Sequence, residues 1–223
     1  PPYLNLLNMI HWNGYLNSVC QAYAQWWQVY TFTDVLGRNK AEPQLHIPLL
    51  DLGLMVQTVE RDQQGEKQEK IERFSVLEGL RQYAPEHVLL VGRPDSGNST
   101  ALARLLLEEA EKAKGRQGDD GEVLRKSVIA SEAQRNAAIS ATPVIPVLVE
   151  LRYYKTSILE LIQDFLLRHD PNLTFDSETL KTWLRQGQLL LLVDGVNELP
   201  SEDARRDLKA FRQNHPQTQM IFT

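Results

Sequence analysis

The run Gly92-Arg93-Pro94-Asp95-Ser96-Gly97-Asn98-Ser99-Thr100 has the residue types and spacing to hold a phosphate. Glycines let backbone N–H groups close around an anion, and a following helix adds its dipole. The full pattern, G-x-x-x-x-G-K-[ST], also needs a lysine to reach the β/γ-phosphates and a hydroxyl for magnesium. Ser99 supplies the hydroxyl, but Asn98 stands in the lysine position. Alone, two glycines and a serine suit a plain strand–turn–helix connection equally well. A second group shifts that balance. Leu189–Asp194 (LLLLVD) reads as a buried strand ending in a carboxylate. The carboxyl end of a parallel strand is where such sheets place ligands. There Asp194 can hold magnesium, usually through water, beside Ser99. Gly195-Val196-Asn197-Glu198 follows, which brings Glu198 within reach of an attacking water.

These residues need a scaffold of alternating strands and helices. His87–Val91 is a short apolar run that suits a strand buried on both faces. Thr100–Ala113 predicts a helix with Leu102, Leu105, Leu106 and Ala110 on one side. Val144–Leu151 reads as a second buried strand, Leu189–Val193 as a third, and Gln219–Thr223 begins a fourth. Between them, Ser157-x-x-Glu160 resembles a capping box opening a helix to about His169. Asp176 or Ser177 caps a helix ending near Gly187, a C′ residue. Ser201 starts another, ending before Pro216. Upstream, Ser75–Tyr83 predicts a helix with Ser75 as N-cap and Leu77, Leu80 and Tyr83 facing inward. His46–Val59 is strand-like, and Arg61–Lys70 predicts a loop. The three glycines of Lys114–Gly121 predict a mobile loop, and Glu122–Asn136 a short polar helix. Tyr15, Leu16, Val19, Tyr23, Trp26, Trp27 and Tyr30 recur at helical spacing, as in a docking helix. Its polar face carries asparagine, glutamine and serine rather than the lysine and arginine of a membrane-surface helix. The alternation argues for a parallel sheet covered on both faces.

The 223 residues suffice for one α/β domain with an appendage, and 42% apolar with 24% charged is ordinary for a globular protein. Net charge is −5, so the basic face of a nucleic-acid binder is not expected. The single cysteine, Cys20, excludes an internal disulfide framework and suits a reducing, cytoplasmic setting. No apolar run reaches the roughly 18 residues of a membrane span. A start at Pro1-Pro2 and an end inside the apolar run Ile221-Phe222-Thr223 read as a piece of a longer protein.

The stretches HVLLVGRPDSGNSTALARLLLEEA, PVLVELR and LLLLVDGVNELP resemble the signature blocks of NACHT domains, the signal-transducing STAND-type P-loop ATPases, in a form closer to bacterial members. The likeness covers roughly Phe74–Thr223. It implies a three-layer P-loop sandwich over residues 41–223, cut after the fourth core strand, with residues 1–40 as a preceding helical segment. It implies an ATP/ADP switch with magnesium, and protein partners or self-association in the full-length protein. By position, Gly92 to Thr100 would form Walker A and line phosphate. Ser99 and Asp194 (Walker B) would serve magnesium, Glu198 would orient or activate water, and Ile47–Leu50 would border the adenine. The resemblance also implies a fifth strand beside His87–Val91. Without it that strand is an edge, for which the aromatic helix at Tyr15–Tyr30 is a candidate cover.

Three residues depart from the family pattern: Asn98 for lysine, Asp95 where a small residue is usual, and Asn197 where many members carry an acid. At about 4 Å and an effective dielectric near 20, each altered charge at Asn98 and Asp95 is worth roughly 4 kcal/mol against a phosphate. Half of that, for two charges, is about three decades of affinity. The expected function is a NACHT-type core with impaired ATP binding and hydrolysis, a pseudo-NTPase acting as a scaffold. The alternative is a competent ATP/ADP-dependent oligomerisation switch. A metabolic kinase would need an arginine-rich acceptor lid, which the sequence lacks.

Overall fold

Each strand of the sheet is followed or preceded by a helix long enough to cross back over it, so the strands run parallel. The structure is a computed structural model that describes residues 12–24, 55–57, 73–93, 96–127 and 144–223. In chain order the elements are α1 (Asn13–Ala24), β1 (Met55–Gln57), β2 (Arg73–Ser75), α2 (Val76–Tyr83), β3 (Val88–Leu89) and α3 (Asn98–Ser127). Then come β4 (Ile145–Glu150), α4 (Ile158–His169), α5 (Ser177–Arg185), β5 (Leu189–Asp194), α6 (Glu202–Asn214) and β6 (Gln219–Phe222). The main sheet has four parallel strands in the order β3-β6-β5-β4. β1 and β2 form a separate antiparallel pair. Of the predicted strand His46–Val59 only Met55–Gln57 is described. The Arg61–Lys70 loop, Ile47–Leu50, and Trp26, Trp27 and Tyr30 lie outside the described residues.

Local chemistry sets the helix boundaries. Ser157 Oγ accepts the Glu160 N–H at 3.2 Å, which is one half of a capping box; the Glu160 carboxylate accepts from the Thr156 hydroxyl rather than from the Ser157 N–H. Of the two candidate caps for α5, Asp176 is the one used, accepting the Thr179 N–H at 2.7 Å. Ser201 Oγ accepts the Ala204 N–H at 3.1 Å at the start of α6. Gly187 ends α5 with φ +64, and a Cβ there would sit 2.7 Å from the Gln217 carbonyl oxygen. Ser75 precedes α2 but makes no cap to backbone; its hydroxyl lies 3.5 Å from Glu78 Oε2. In α2, Val76 and Leu80 are buried, while Leu77 and Tyr83 are only partly covered.

Two predicted features are corrected. Lys114–Gly121 is not a loop: α3 continues unbroken from Asn98 to Ser127, taking in the start of the predicted polar helix. A glycine costs about 1 kcal/mol in a helix interior and a proline about 3, so glycines among glutamate, lysine, arginine and leucine weaken a helix without breaking it. His87–Val91 is not buried on both faces. β3 has one hydrogen-bonded neighbour, β6, and Leu89 is 59% exposed and Val91 79%. Side chains alternate along the strand, so Val88 and Leu90 pack against the core while Leu89 and Val91 point to the face that no described element covers.

β3 is therefore the open edge among the described strands, and α1 does not cover it. The described turns of α1 lie at the opposite edge, against α3 and α4, which both pack on β4. Pro146 occupies a β4 position whose backbone points away from β5, where a missing N–H costs no ladder bond. The Pro146 carbonyl would be left unpaired, but Tyr15 donates its hydroxyl to it at 2.6 Å. Tyr15 is fully buried, and burial raises its phenol pKa well above the ordinary value, so it remains a donor. Trp12 packs edge-on against Trp183, with ring centroids 5.1 Å apart, and Leu16 and Val19 of the same helix are buried in the core. Right-handed crossovers place α3 on one face of the sheet and α4 to α6 on the other. The main core lies between these layers and includes Leu102, Leu105 and Leu106 of α3 with Val147, Val149 and Leu191 of the sheet.

Tyr15→Phe leaves a buried carbonyl unsatisfied and should cost about 1–3 kcal/mol in urea denaturation. His169 and His215 both have lowered pKa values, chiefly through burial and secondarily through nearby cations. The unfolded chain then binds protons first, so stability is complete above about pH 6.5 and declines as pH falls toward the depressed folded values. Denaturation midpoints near pH 7.5 and pH 5.5 should differ, and His215→Gln should narrow the difference.

Candidate functional site

The register gathers four strand ends at one side of the sheet. Glu150 pairs with Asp194, Val193 with Phe222, and Phe222 with Leu89. The chain leaves β3 into the glycine loop and leaves β5 into Gly195–Glu198, so both segments emerge on that side. Between them lies a cavity of about 860 Å³.

Each glycine there has its own reason. A Cβ on Gly92 would run into Ser96 Oγ and sit 2.9 Å from Asn98 Oδ1, because the loop folds back over this residue. Gly97 has φ +88, a conformation that L side chains rarely adopt. Gly195 has φ +80, and a Cβ there would lie 3.0 Å from Glu198 Oε2. The Gly195-x-x-Glu198 spacing thus lets the Glu198 carboxylate fold back over the turn, which is closed by a Glu198 N–H bond to the Gly195 carbonyl at 2.8 Å.

The two halves of the site meet directly. Ser99 donates its hydroxyl to Asp194 Oδ1 at 2.9 Å. Thr223 donates to the same oxygen at 2.5 Å. The Thr223 hydroxyl in turn accepts the Gly195 N–H at 3.3 Å. Its backbone bridges the strand ends, the N–H to the Val193 carbonyl and the carbonyl to the Val196 N–H. Asp194 is thereby oriented by two hydroxyls from sequence-distant segments. Across the loop, Ser96 donates to Asn98 Oδ1 at 3.1 Å. The Asn98 side chain therefore bends back over the loop and brings no charge to the cavity.

Gly92, Arg93, Ser96, Gly97, Asn98, Ser99, Thr100, Asp194 and Glu198 all line this one cavity. Pro94 and Asp95 lie outside the described residues. Asn197 also lines it, and Leu89 and Val91 form its apolar flank. Arg152, from the PVLVELR block, pairs with Glu150 instead. Two lining residues carried no sequence signal: Thr223, and Arg205 in the first turns of α6. Among the described residues, no group of three or more histidine, cysteine, aspartate or glutamate side chains forms a ready-made metal site. No helix of the described residues is long and apolar enough to cross a membrane.

No protein-family model matches the chain, and no curated protein matches it in sequence.

The double clamp on Asp194 can be tested. Thr223→Val keeps the side-chain shape and removes the shorter of the two hydroxyl bonds. It should cost about 1.5–3 kcal/mol, typical of a bond to a charged acceptor, in denaturant titration, and Thr223→Ser should restore most of that.

Proposed function

We propose that this chain is the nucleotide-binding core of a NACHT-type P-loop NTPase with a weakened grip on the triphosphate. The observation that carries the reading is the Ser99–Asp194 hydrogen bond. It joins two half-motifs that lie far apart in sequence, each at the end expected of its strand or helix. The parallel sheet, with the glycine loop opening α3, is the setting such a loop needs.

The residues present fit a magnesium nucleotide in shape and donor type. The cavity falls within the roughly 300–1,000 Å³ usual for small-molecule sites. The first turn of α3 presents N–H groups without intrahelical partners, which suit phosphate oxygens. Ser99 and Asp194 offer the hard oxygen ligands magnesium prefers. Bound magnesium would neutralise phosphate charge. Glu198, at the same cavity, would hold and polarise a water. What the site lacks is the lysine charge, because Asn98 is neutral and its amide oxygen is engaged by Ser96. Weak triphosphate binding and slow or absent hydrolysis are the consequence, which leaves a scaffold role through the module's surfaces. The intact Ser99–Asp194 pair, with Glu198 at the same cavity, favours a second reading, a competent ATP/ADP-dependent switch.

Calorimetry of magnesium-ATP and ADP separates these readings. For the scaffold, the chain as it stands should bind weakly, and Asn98→Lys with Asp95→Gly should gain about three decades, well beyond Asn98→Lys alone. Tight binding without substitution would establish the switch. Unchanged affinity in the double variant would mean that the loop does not contact phosphate.

A further inference from the structure

We infer that Arg205 is a triphosphate-binding residue of this cavity, supplying from α6 the positive charge missing from the glycine loop at Asn98. The inference rests on the nucleotide reading above.

The charged side chains among the described lining residues are Arg93, Arg205, Asp194 and Glu198. Two carboxylates face a ligand that would itself be strongly anionic. Arg93 belongs to the glycine loop, leaving Arg205 as the cation contributed from outside it. Arg205 follows β5 and its turn on the same chain segment as Asp194 and Glu198. It therefore belongs to the wall where the magnesium ligand and the water-holding carboxylate stand, which is the terminal-phosphate side. A guanidinium there can take two phosphate oxygens at once, which a neutral amide at Asn98 cannot do.

Arg205 is also free to make this contact. Its present partner is Glu202, one helical turn earlier, and the two side chains are 52% and 71% exposed. Exposed pairs of this kind are worth little, so a phosphate readily displaces the carboxylate. No core contact depends on either side chain, since both project from the solvent-facing side of α6, whose buried residues are Ala204, Leu208 and Phe211. The Glu202–Arg205 pair then holds the guanidinium beside the cavity until a more highly charged anion arrives.

The test is a double-mutant cycle on the full chain, Arg205→Gln, Glu202→Gln and both together, with ATP, ADP and AMP binding measured at low and moderate salt in the presence of magnesium. Arg205→Gln should weaken ATP binding about tenfold, ADP less and AMP hardly at all, and the loss should shrink as salt rises. Glu202→Gln should tighten ATP binding severalfold, and that gain should vanish in the Arg205→Gln background. Circular dichroism and melting should be unchanged in all three variants. If the wild-type chain binds ATP and Arg205→Gln binds it equally well, Arg205 is a surface residue and only this inference falls. A Glu202→Gln gain that persists without Arg205 also overturns it, because the effect is then general charge. If no nucleotide binds the wild-type chain at any salt, the inference falls together with the nucleotide reading.

Discussion

A parallel sheet brings the carboxyl ends of strands that are far apart in sequence to the same side, and in this protein that geometry determines everything at the site. The register from Leu89 through Phe222 and Val193 to Glu150 places the glycine loop and the acidic turn across one cavity. The Ser99–Asp194 hydrogen bond then fixes their separation. Thr223 ties the same carboxylate to the end of β6, so three elements converge on one oxygen atom. A shift of one residue in any of these registers would turn the side chains to the other face and dissolve the arrangement.

The two edges of the sheet are treated differently, and the chemistry of single residues explains why. At β4, Pro146 removes one outward N–H, and Tyr15 of α1 satisfies the carbonyl of that same residue. That helix packs across the two helical layers with Trp12, Tyr15, Leu16 and Val19 in the core, and it reaches the β4 edge through the Tyr15 hydrogen bond. At β3, the strand is short, and Leu89, with Val91 just beyond it, remains exposed on the flank of the cavity while Val88 packs against the core. The site is consequently backed by a buried strand at β5 and open toward β3.

Much of this was readable from residue patterns. Ser157 with Glu160, Asp176, Ser201 and Gly187 announced helix ends because capping is a short-range interaction between residues a few positions apart. Leu102, Leu105, Leu106 and Ala110 announced the buried stripe of α3 because side chains repeat on a helix with a fixed period. The misreadings also share a cause. Lys114–Gly121 looked like a loop because glycine signals turns, yet propensity is a weak prior that neighbouring residues override. His87–Val91 looked buried because apolar composition does not say how many neighbours a strand will have. Thr223 and Arg205 left no signal, since a hydroxyl at the end of one strand and an arginine on a surface helix acquire meaning only from what lies opposite them.

The sequence by itself determined the alternation of strands and helices, the strand–loop–helix setting of Gly92–Thr100, the acidic end of β5 and the absence of lysine at Asn98. Each of these depends on residues within a few positions of one another. Tertiary structure alone decided that Ser99 meets Asp194, that Thr223 shares the same oxygen, that Arg205 lines the cavity, and that α1 lies at the β4 edge and not at β3. Those outcomes depend on strand order and register, which are set by packing between segments far apart in the chain.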